Sequence, residues 1–241
     1  MEERKISPEI SIVISFSGGK DSSAMLAFIC ENYPLNKKYV IWADTGWEHE
    51  SLEEWNKKLC LMWGFDLIVV RAKNDFFQCV EQRQKFPGFS CRYCTGKLKQ
   101  DPIAKWIRKN LFGTILIAMG MRAEESKMRA KKSPYKINTE LTTKKRFVFD
   151  WLPIFDWTEK QVYSYLKGLK IPLHPVYDYL PRLSCQICIF NGRNHLRAIQ
   201  YNNPKAVEQI AIIEDRIEFT MFPQGGIEKL AKPRKGLIYP Y

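Results

Sequence analysis

The sequence contains no apolar run long enough to cross a membrane, and it shows neither internal repeats nor low-complexity segments. Its start, Met1–Lys5, is charged and leads into no signal-type apolar segment. Histidine is scarce, with three residues, and His174 lies in a proline-rich loop, where a histidine is more often incidental than catalytic. These absences predict a cytosolic protein that does not associate with membranes.

The sequence contains fewer acidic than basic residues. The chain has 38 Lys and Arg against 26 Asp and Glu, which gives a formal net charge of +12. Such an excess is typical of proteins with an acidic partner: DNA, RNA or an acidic protein surface. The alternative is a basic face that serves only a nucleotide substrate. With 241 residues, 45% of them apolar, the chain can form one large α/β domain with or without a small appendage.

The most informative motif is a glycine turn, Ser17–Ser22, set between a strand and a helix. The apolar, β-branched segment Ile10–Phe16 predicts a buried strand, and Ser23–Cys30 predicts a helix. Adjacent glycines allow a sharp bend that brings backbone N–H groups close to a ligand, and the helix N-terminus adds a positive dipole. Two serine hydroxyls and the mobile cation of Lys20 complete a predicted cradle for a polyphosphate.

This turn differs from two common phosphate motifs. A Walker A loop requires Ser or Thr after Gly-Lys, and a glycine five residues before the second one. Here Asp21 follows Lys20, and Ile14 stands where that earlier glycine would be. The dinucleotide fingerprint is also excluded, because the glycines of this turn are adjacent. An ordinary glycine turn before a helix is the remaining alternative.

Two other predicted strands end in polar residues. Asp44 follows the strand 38–43, and Arg122 follows the strand 114–118. Ligands of an open parallel sheet bind beyond the carboxyl ends of its strands, so Asp44 is expected to face the same nucleotide as the glycine turn. Capping of the next helix is an equal alternative for Asp44. Arg122 can bind a phosphate or carboxylate, or pair only with Glu125.

The alternation of strands and helices predicts an α/β fold: an open parallel sheet with helices on both faces and a mostly helical C-terminal part. Residues 130–145 are polar and basic without periodicity, which predicts a mobile loop. We divide the chain into a nucleotide-binding α/β domain at 1–155 and a helical and loop region at 156–241.

Four of the seven cysteines form two C-x-x-C pairs, Cys91 with Cys94 and Cys185 with Cys188. Structural disulfides are rare in cytosolic proteins, and a spacing of about ninety residues lies far outside that of zinc ribbons. The pairs can share a metal only if the fold brings them together. A four-iron–four-sulfur cluster, a structural zinc and two independent redox pairs all remain open.

The motifs and their order along the chain resemble those of PP-loop ATP pyrophosphatases, and among these enzymes they resemble the phosphoadenylyl-sulfate reductase branch. The resemblance runs from Ser17 to about Phe190, and it rests on Ser17–Ser22, Asp44-Thr45-Gly46, Gly120-x-Arg122-x-x-Glu125-Ser126, Trp151-x-Pro153-Ile154-x-x-Trp157, and Pro175-x-Tyr177 ahead of Cys185-x-x-Cys188. It implies an adenine nucleotide alpha hydrolase-like fold and cleavage of ATP to AMP and pyrophosphate.

The chain departs from the sulfonucleotide reductases of that branch. Those enzymes carry a catalytic cysteine near the C-terminus, whereas here no cysteine follows Cys188, and their cluster-bearing members use an adjacent cysteine pair. The chain is more similar to the ATP-pyrophosphatase component of bacterial DNA phosphorothioation systems, of the compact single-strand type. That resemblance implies DNA rather than RNA as partner, a 4Fe–4S cluster on the four cysteines, a cysteine desulfurase as sulfur donor, and further modification-system subunits.

The resemblance also assigns roles to site residues. Catalysis is expected from Lys20, Asp21, Asp44 and Arg122, with Mg²⁺ near Asp21 or Asp44. The expected ATP-binding residues are Ser15, Ser17, Gly18, Gly19, Lys20, Asp21, Ser22, Asp44, Thr45, Gly120, Arg122 and Arg129, and the expected metal ligands are Cys91, Cys94, Cys185 and Cys188. In this hypothesis AMP is transferred to an acceptor oxygen, and sulfur then displaces AMP.

Three other functions fit the same motifs. A tRNA thiolase uses the same loop and often has cysteine-ligated clusters, and a sulfate-activating or sulfonucleotide-reducing enzyme shares the family pattern. A non-enzymatic reading is a basic nucleic-acid-binding module with an inactive nucleotide site. The intact Ser17–Ser22 segment argues against such decay.

Overall fold

A computed structural model describes residues 6–233 of the chain. The strands are β1 (Ser11–Ser15), β2 (Lys38–Asp44), β3 (Ile68–Arg71), β4 (Gly113–Met119), β5 (Tyr135–Ile137) and β6 (Arg146–Trp151). The α-helices are α1 (Lys20–Asn32), α2 (Leu52–Leu61), α3 (Phe76–Arg83), α4 (Tyr93–Thr95), α5 (Asp101–Asn110), α6 (Lys127–Ala130), α7 (Glu159–Gly168), α8 (Arg193–Asn202), α9 (Pro204–Ile217) and α10 (Ile227–Ala231). A π-helical turn, Gly96–Gln100, joins α4 to α5.

The strands form one sheet in the order β3-β2-β1-β4-β6-β5. β1 pairs in parallel with β2 and with β4, and β4 pairs in parallel with β6. Ser15 at the end of β1 is in register with Met119 at the end of β4, so the loops after these strands leave the same edge of the sheet. The predicted α/β fold is therefore confirmed.

The sequence analysis predicted that residues 130–145 form a loop, and this prediction is wrong for part of the segment. It contains β5, which pairs antiparallel with β6 and makes the sheet mixed. Tyr135 stacks on Trp151, and the Asn138 amide donates a hydrogen bond to Asp150. A three-residue strand with all its residues exposed has no recognisable alternation, which is why the sequence did not reveal it.

The central strand β1 is covered by helices on both faces. Ile12, Val13 and Ile14 are fully buried, as a continuous β-branched run in a parallel sheet requires. Ile12 and Ile14 pack into a cluster with residues of α1 and α7, while Val13 packs with Ile107 of α5. Alternate side chains of one strand thus enter two separate apolar layers, which fixes the position of the loop that follows.

The chain divides into two compact units that interleave in sequence. Among the described residues, the first contains 6–43, 51–70 and 103–173, and the second contains 44–50, 71–102 and 174–233. The second unit has its own core around Trp47 and Phe76, in which α8, α9 and α10 pack on one another. The division at residue 155 proposed from the sequence stays a prediction. No helix within residues 6–233 is both long and apolar enough to span a membrane.

Candidate functional site

The glycine loop of the first unit is closed by hydrogen bonds of its own. The Ser22 hydroxyl accepts hydrogen bonds from the Ser17 N–H (3.3 Å) and the Ser17 hydroxyl (3.1 Å), and donates one to the Gly19 carbonyl (3.0 Å). Gly19 is the N-cap of α1, and no side chain caps that helix. The loop is thus held in shape at the N-terminus of α1, where the N-cap Gly19 has no side chain that could cap the helix, an arrangement suited to an anion.

Two glycines are required by close contacts around this loop. Gly18 has φ +74°, and a Cβ on it would lie 1.9 Å from the amide oxygen of Asn56. A Cβ on Gly120 would lie 3.0 Å from backbone atoms of Asp21 and Ser22. The loop after β4 therefore packs directly against the start of α1, as the strand order allows. The sequence predicted Gly120 as a site residue but gave no reason for Gly at that position.

Asn56 is a residue that the sequence analysis missed. It is fully buried in α2 beside Gly18, and neither atom of its amide has a hydrogen-bond partner among the described residues. Its position carried a signal, because Leu52, Asn56 and Leu59 follow the helical spacing of a core face. A buried amide without partners beside the glycine loop makes Asn56 a candidate for contacting a bound ligand.

We expect Asn56→Leu to stabilise the ligand-free protein by about 1 kcal/mol while weakening ATP binding about fivefold, the equivalent of one hydrogen bond. Leucine has the same branched shape, but it has no amide that could be left unsatisfied in the core. It also cannot form a hydrogen bond when ATP is bound at the glycine loop. Chemical denaturation and ATP titration of the same preparation would measure both effects. If stability and affinity changed in the same direction, Asn56 would be an ordinary packing residue.

Lys20 and Arg122 bring their charges together at the start of α1. Lys20 is 5% exposed, and its Nζ lies 3.3 Å from Asp21 Oδ2 and 3.2 Å from Glu159 Oε1. Arg122 is 3% exposed, and its Nε donates a hydrogen bond to Asp21 (2.6 Å). Its Nη1 donates to the Glu124 carboxylate (2.7 Å) and to the Trp157 carbonyl (3.3 Å). Asp21 thus bridges both cations.

Burial lowers the pKa of the Arg122 guanidinium, but the hydrogen bond and the charge of Asp21 outweigh it, so the pKa is raised overall and the group stays charged. The alternative that Arg122 pairs only with Glu125 is wrong: the Glu125 carboxylate accepts from the Arg122 backbone N–H instead. Its proposed contact with phosphate stays a prediction. In this structure Arg122 orients Asp21.

Glu124 and Glu159 complete the charge cluster, and neither was predicted. Glu159 is the first residue of α7, and its backbone N–H donates to Glu124. A capping box formed by Thr158 and Gln161 begins this helix. That box fixed where α7 begins, but it could not indicate that α7 begins beside Lys20.

Two other predicted residues of the first unit, Ser15 and Arg129, are more exposed than Lys20 and Arg122. Ser15 ends β1 and is half-buried. Arg129, in α6, forms an ion pair with Glu125, and it is about a third exposed. The structure leaves its role in ATP binding as a prediction.

Asp44 and Thr45 lie in the second unit. One Asp44 carboxylate oxygen accepts from the Gly46 N–H (2.9 Å), and the other lies 2.7 Å from Arg71 Nε. The Thr45 hydroxyl donates to Glu48 (3.0 Å) and accepts from the Trp47 N–H. Asp44 therefore stabilises its own turn, and its proposed role in catalysis remains a prediction.

Three of the four predicted metal ligands pack against the apolar core of the second unit. The thiols of Cys94, Cys185 and Cys188 interact electrostatically with one another. Burial raises the pKa of the Cys185 thiol and the Glu48 carboxylate raises it further, while Lys99 opposes the shift. Burial and then Cys188 raise the pKa of Cys94. The Cys94 and Cys185 thiols are therefore protonated without a metal, and binding one would release their protons.

Cys91 differs from the other three because it is exposed, on a turn in which Gly88 and Cys91 exchange backbone hydrogen bonds. Lys99 forms an ion pair with Glu48 (2.9 Å) and interacts with Cys185 and Cys188. Burial lowers the Lys99 pKa, but Glu48 and these cysteines outweigh it, so the pKa is raised. A fixed cation thus stands beside the thiols.

This arrangement can be compared with the metal groups considered above. Within residues 6–233, no group of three or more His, Cys, Asp or Glu side chains is arranged to hold a metal ion. A tetrahedral zinc would bring its thiolates within about 4 Å of one another. In a four-iron cluster each cysteine binds a different iron, which sets the sulfurs further apart. The described residues show the arrangement of neither group, and the metal site stays a prediction.

The family described as "Phosphoadenosine phosphosulfate reductase domain" matches residues 11–189. An uncharacterised protein of Methanocaldococcus jannaschii is 30% identical over 200 residues, which cover 82% of this chain and 40% of that protein. A second one from the same organism is 28% identical, with 41% of its length covered. The chain thus spans about two fifths of the length of these relatives.

Two solved structures have a similar fold. The phosphoadenylyl-sulfate reductase of Candida auris, in a phosphate complex, has a TM-score of 0.50 and 14% identity, with 70% of this chain and 77% of that chain covered. The U34-tRNA thiolase of Methanococcus maripaludis, solved with its [4Fe–4S] cluster, has a TM-score of 0.50 and 18% identity, with 87% and 73% covered. At these identities the likeness establishes the fold alone.

Proposed function

The chain belongs to the phosphoadenosine phosphosulfate reductase domain family, and from this premise we propose that it is an ATP pyrophosphatase that adenylates an acceptor for sulfur transfer, with DNA as the acceptor. The observation that carries the proposal is the glycine loop. Its shape is fixed by Ser22, its helix has no side-chain cap, and a buried lysine begins that helix.

The β- and γ-phosphates of ATP would bind the loop. Backbone N–H groups after Gly19 and the ammonium of Lys20 supply donors and positive charge. The carboxylates of Asp21 and Glu159 form ion pairs with the Lys20 ammonium, so the ammonium is oriented before the nucleotide binds. Such fixed donors stabilise charge that grows on the departing pyrophosphate.

The charge of this cluster supports a role for Mg²⁺. Two cations, Lys20 and Arg122, face three carboxylates, those of Asp21, Glu124 and Glu159, so the cluster alone does not neutralise a polyphosphate. Mg²⁺ is usually held by one or two carboxylates together with substrate phosphates. Asp21 and Glu159 are the residues that would hold it, and the ion would supply the missing positive charge.

The proposed chemistry has two displacements. A non-bridging oxygen of an acceptor phosphate attacks the α-phosphorus of ATP, an O–P bond forms, and pyrophosphate leaves. A sulfur nucleophile at the sulfide level then attacks the activated acceptor and expels AMP. A partner cysteine desulfurase would supply that sulfur as a persulfide, a dithiol reductant would release it as sulfide while being oxidised to a disulfide, and other subunits of a modification system would present the DNA. The chain's own residues position ATP and stabilise the first leaving group.

We assign the four cysteines to a 4Fe–4S cluster. The support is the all-cysteine donor set, the mutual interaction of Cys94, Cys185 and Cys188, and the cation Lys99 beside them. When bound, such a cluster supplies iron that can hold sulfur. Cys91, on its exposed turn, would complete the ligand set.

The test is anaerobic purification followed by a visible spectrum, iron and sulfide counts, and a pyrophosphate-release assay on the same sample. We expect a brown protein with about four irons per chain that releases pyrophosphate from ATP in the presence of single-stranded DNA. A colourless zinc protein that still cleaves ATP would remove the cluster from the proposal. Absence of both metal and turnover would overturn the enzymatic assignment.

The acceptor is tested separately, because a tRNA thiolase shares this fold and carries a cluster. Reactions containing the desulfurase and either DNA or tRNA would be digested to nucleosides and analysed for sulfur by mass spectrometry. Phosphorothioate dinucleotides support DNA. Thiolated nucleosides from tRNA, formed without DNA, would replace DNA by tRNA as the acceptor while keeping the ATP chemistry.

A further inference from the structure

The second unit exposes two phenylalanines that contact each other. Phe89 is 65% exposed and Phe190 is 41% exposed, and their ring centroids lie 5.3 Å apart in an edge-to-face arrangement. Neither belongs to the apolar core of the unit. Phe89 comes two residues before Cys91, and Phe190 two residues after Cys188. Adjacent exposed aromatic rings are typical of interaction surfaces rather than of packing.

Two arginines flank this pair. The guanidinium carbons of Arg92 and Arg182 each lie 5.7 Å from the centroid of the Phe190 ring, within the range of cation–π contacts. Among residues 6–233 neither guanidinium lies within ion-pair distance of a carboxylate, in contrast to Arg122. We call Phe89, Phe190, Arg92 and Arg182 the aromatic–arginine surface.

The chain around this surface carries positive charge only. Residues 82–100 contain five Lys or Arg and residues 179–207 contain four, and neither segment contains Asp or Glu. Two of these nine cations, Lys97 and Lys99, are neutralised by Asp101 and Glu48. The other seven cations place positive charge around the exposed rings. This surface complements a polyanion that carries exposed planar groups able to stack on those rings.

We infer that the aromatic–arginine surface binds single-stranded DNA, with an unpaired base stacked on the exposed rings and neighbouring phosphates on Arg92 and Arg182. Aromatic side chains next to cations are the usual means of holding single strands. A duplex does not offer its base faces, so it would gain only the phosphate contacts. This inference rests on the proposed function for its choice of DNA, but it concerns a surface that the ATP chemistry does not use.

The test is fluorescence anisotropy with a labelled single strand of about a dozen nucleotides, within the usual site size. We expect Phe190→Ala and Phe89→Ala each to weaken binding about tenfold, and Phe190→Trp to retain it, because tryptophan still stacks. Arg92→Gln should weaken binding and reduce the slope of log affinity against log salt concentration by about one. A matched duplex should bind more weakly than the single strand.

Phe219→Ala is the matched control. Phe219 lies in the same unit, is 40% exposed and has Lys85 Nζ 5.6 Å from its ring centroid, but no other aromatic ring of the described part of the chain contacts it. Its replacement should leave DNA affinity unchanged. Equal losses in Phe219→Ala and Phe190→Ala would overturn the inference, as would unchanged affinity in both Phe89→Ala and Phe190→Ala, or tighter binding of RNA or of an acidic protein.

ATP binding without DNA is measured in the same samples, so the two proposals fail separately. If Phe89→Ala and Phe190→Ala lose DNA affinity while the wild-type protein binds no ATP, the surface is supported and the enzyme is refuted. If the wild-type protein binds ATP but no single-stranded DNA, the surface is refuted and the ATP site is kept.

Discussion

Replacing Lys20 with alanine is expected to slow pyrophosphate release from ATP by about a hundredfold to a thousandfold, the usual cost of losing one fixed donor at a developing charge. The ammonium is almost fully buried between Asp21 and Glu159. Its loss leaves two carboxylates where the phosphates of ATP would bind, so both KM and kcat should worsen. Single-turnover kinetics with labelled ATP would separate the two effects.

Lys38→Ala is the control for this experiment. Lys38 is a half-buried lysine of the same unit, and its Nζ donates to the carbonyls of Pro34 (3.2 Å) and Asn36 (2.9 Å) rather than to carboxylates. It should release pyrophosphate at the wild-type rate. Normal turnover in Lys20→Ala would falsify the assignment of the glycine loop as the ATP site.

The glycine loop could be predicted because its signal is local. Six consecutive residues, Ser17–Ser22, carry the turn, and the flanking strand and helix have the expected apolar periodicity. Arg122 could be predicted as a site residue because β1 and β4 are parallel neighbours whose carboxyl ends lie at the same edge. Strand order in an α/β sheet thus gives the edge at which a residue lies.

Contacts between distant segments could not be predicted in the same way. Asp21 and Arg122 are 101 positions apart, and no pattern in either segment indicates that their side chains are bonded. Glu159 begins a helix with a capping box, but its contact with Lys20 depends on how α7 packs on α1. Pairings of charges that depend on helix packing need the three-dimensional structure.

The cysteine pairs show a similar limit in the second unit. Their spacing indicated that they could act together only if the fold closed around them, and the structure packs Cys94, Cys185 and Cys188 against the same apolar core, where their thiols interact electrostatically. The sequence could not predict that Glu48 and Lys99 would form an ion pair beside them. It also gave no reason to expect Cys91 to be the exposed member.

Replacing Arg122 with alanine is expected to lower the free energy of unfolding by about 2–4 kcal/mol and to reduce pyrophosphate release by at least about a hundredfold. Arg122 is buried and binds Asp21, Glu124 and a backbone carbonyl at once, so its removal leaves acceptors unpaired and frees Asp21 from its fixed position. Denaturant titration gives the stability, and turnover per folded molecule gives the activity.

Arg146 makes it possible to separate these two effects. It is also buried, at 8% exposure, in the same unit, but its guanidinium donates only to the carbonyls of Leu141, Arg108 and Leu111 among the hydrogen bonds of the described residues. Arg146→Ala should lose similar stability yet keep its turnover per folded molecule. Arg122→Lys keeps the charge but not the fork that reaches Asp21 and Glu124 together, so it should recover only part of the activity. If Arg122→Ala and Arg146→Ala lost turnover equally, Arg122 would act through stability alone, and orientation of Asp21 would have no part in catalysis.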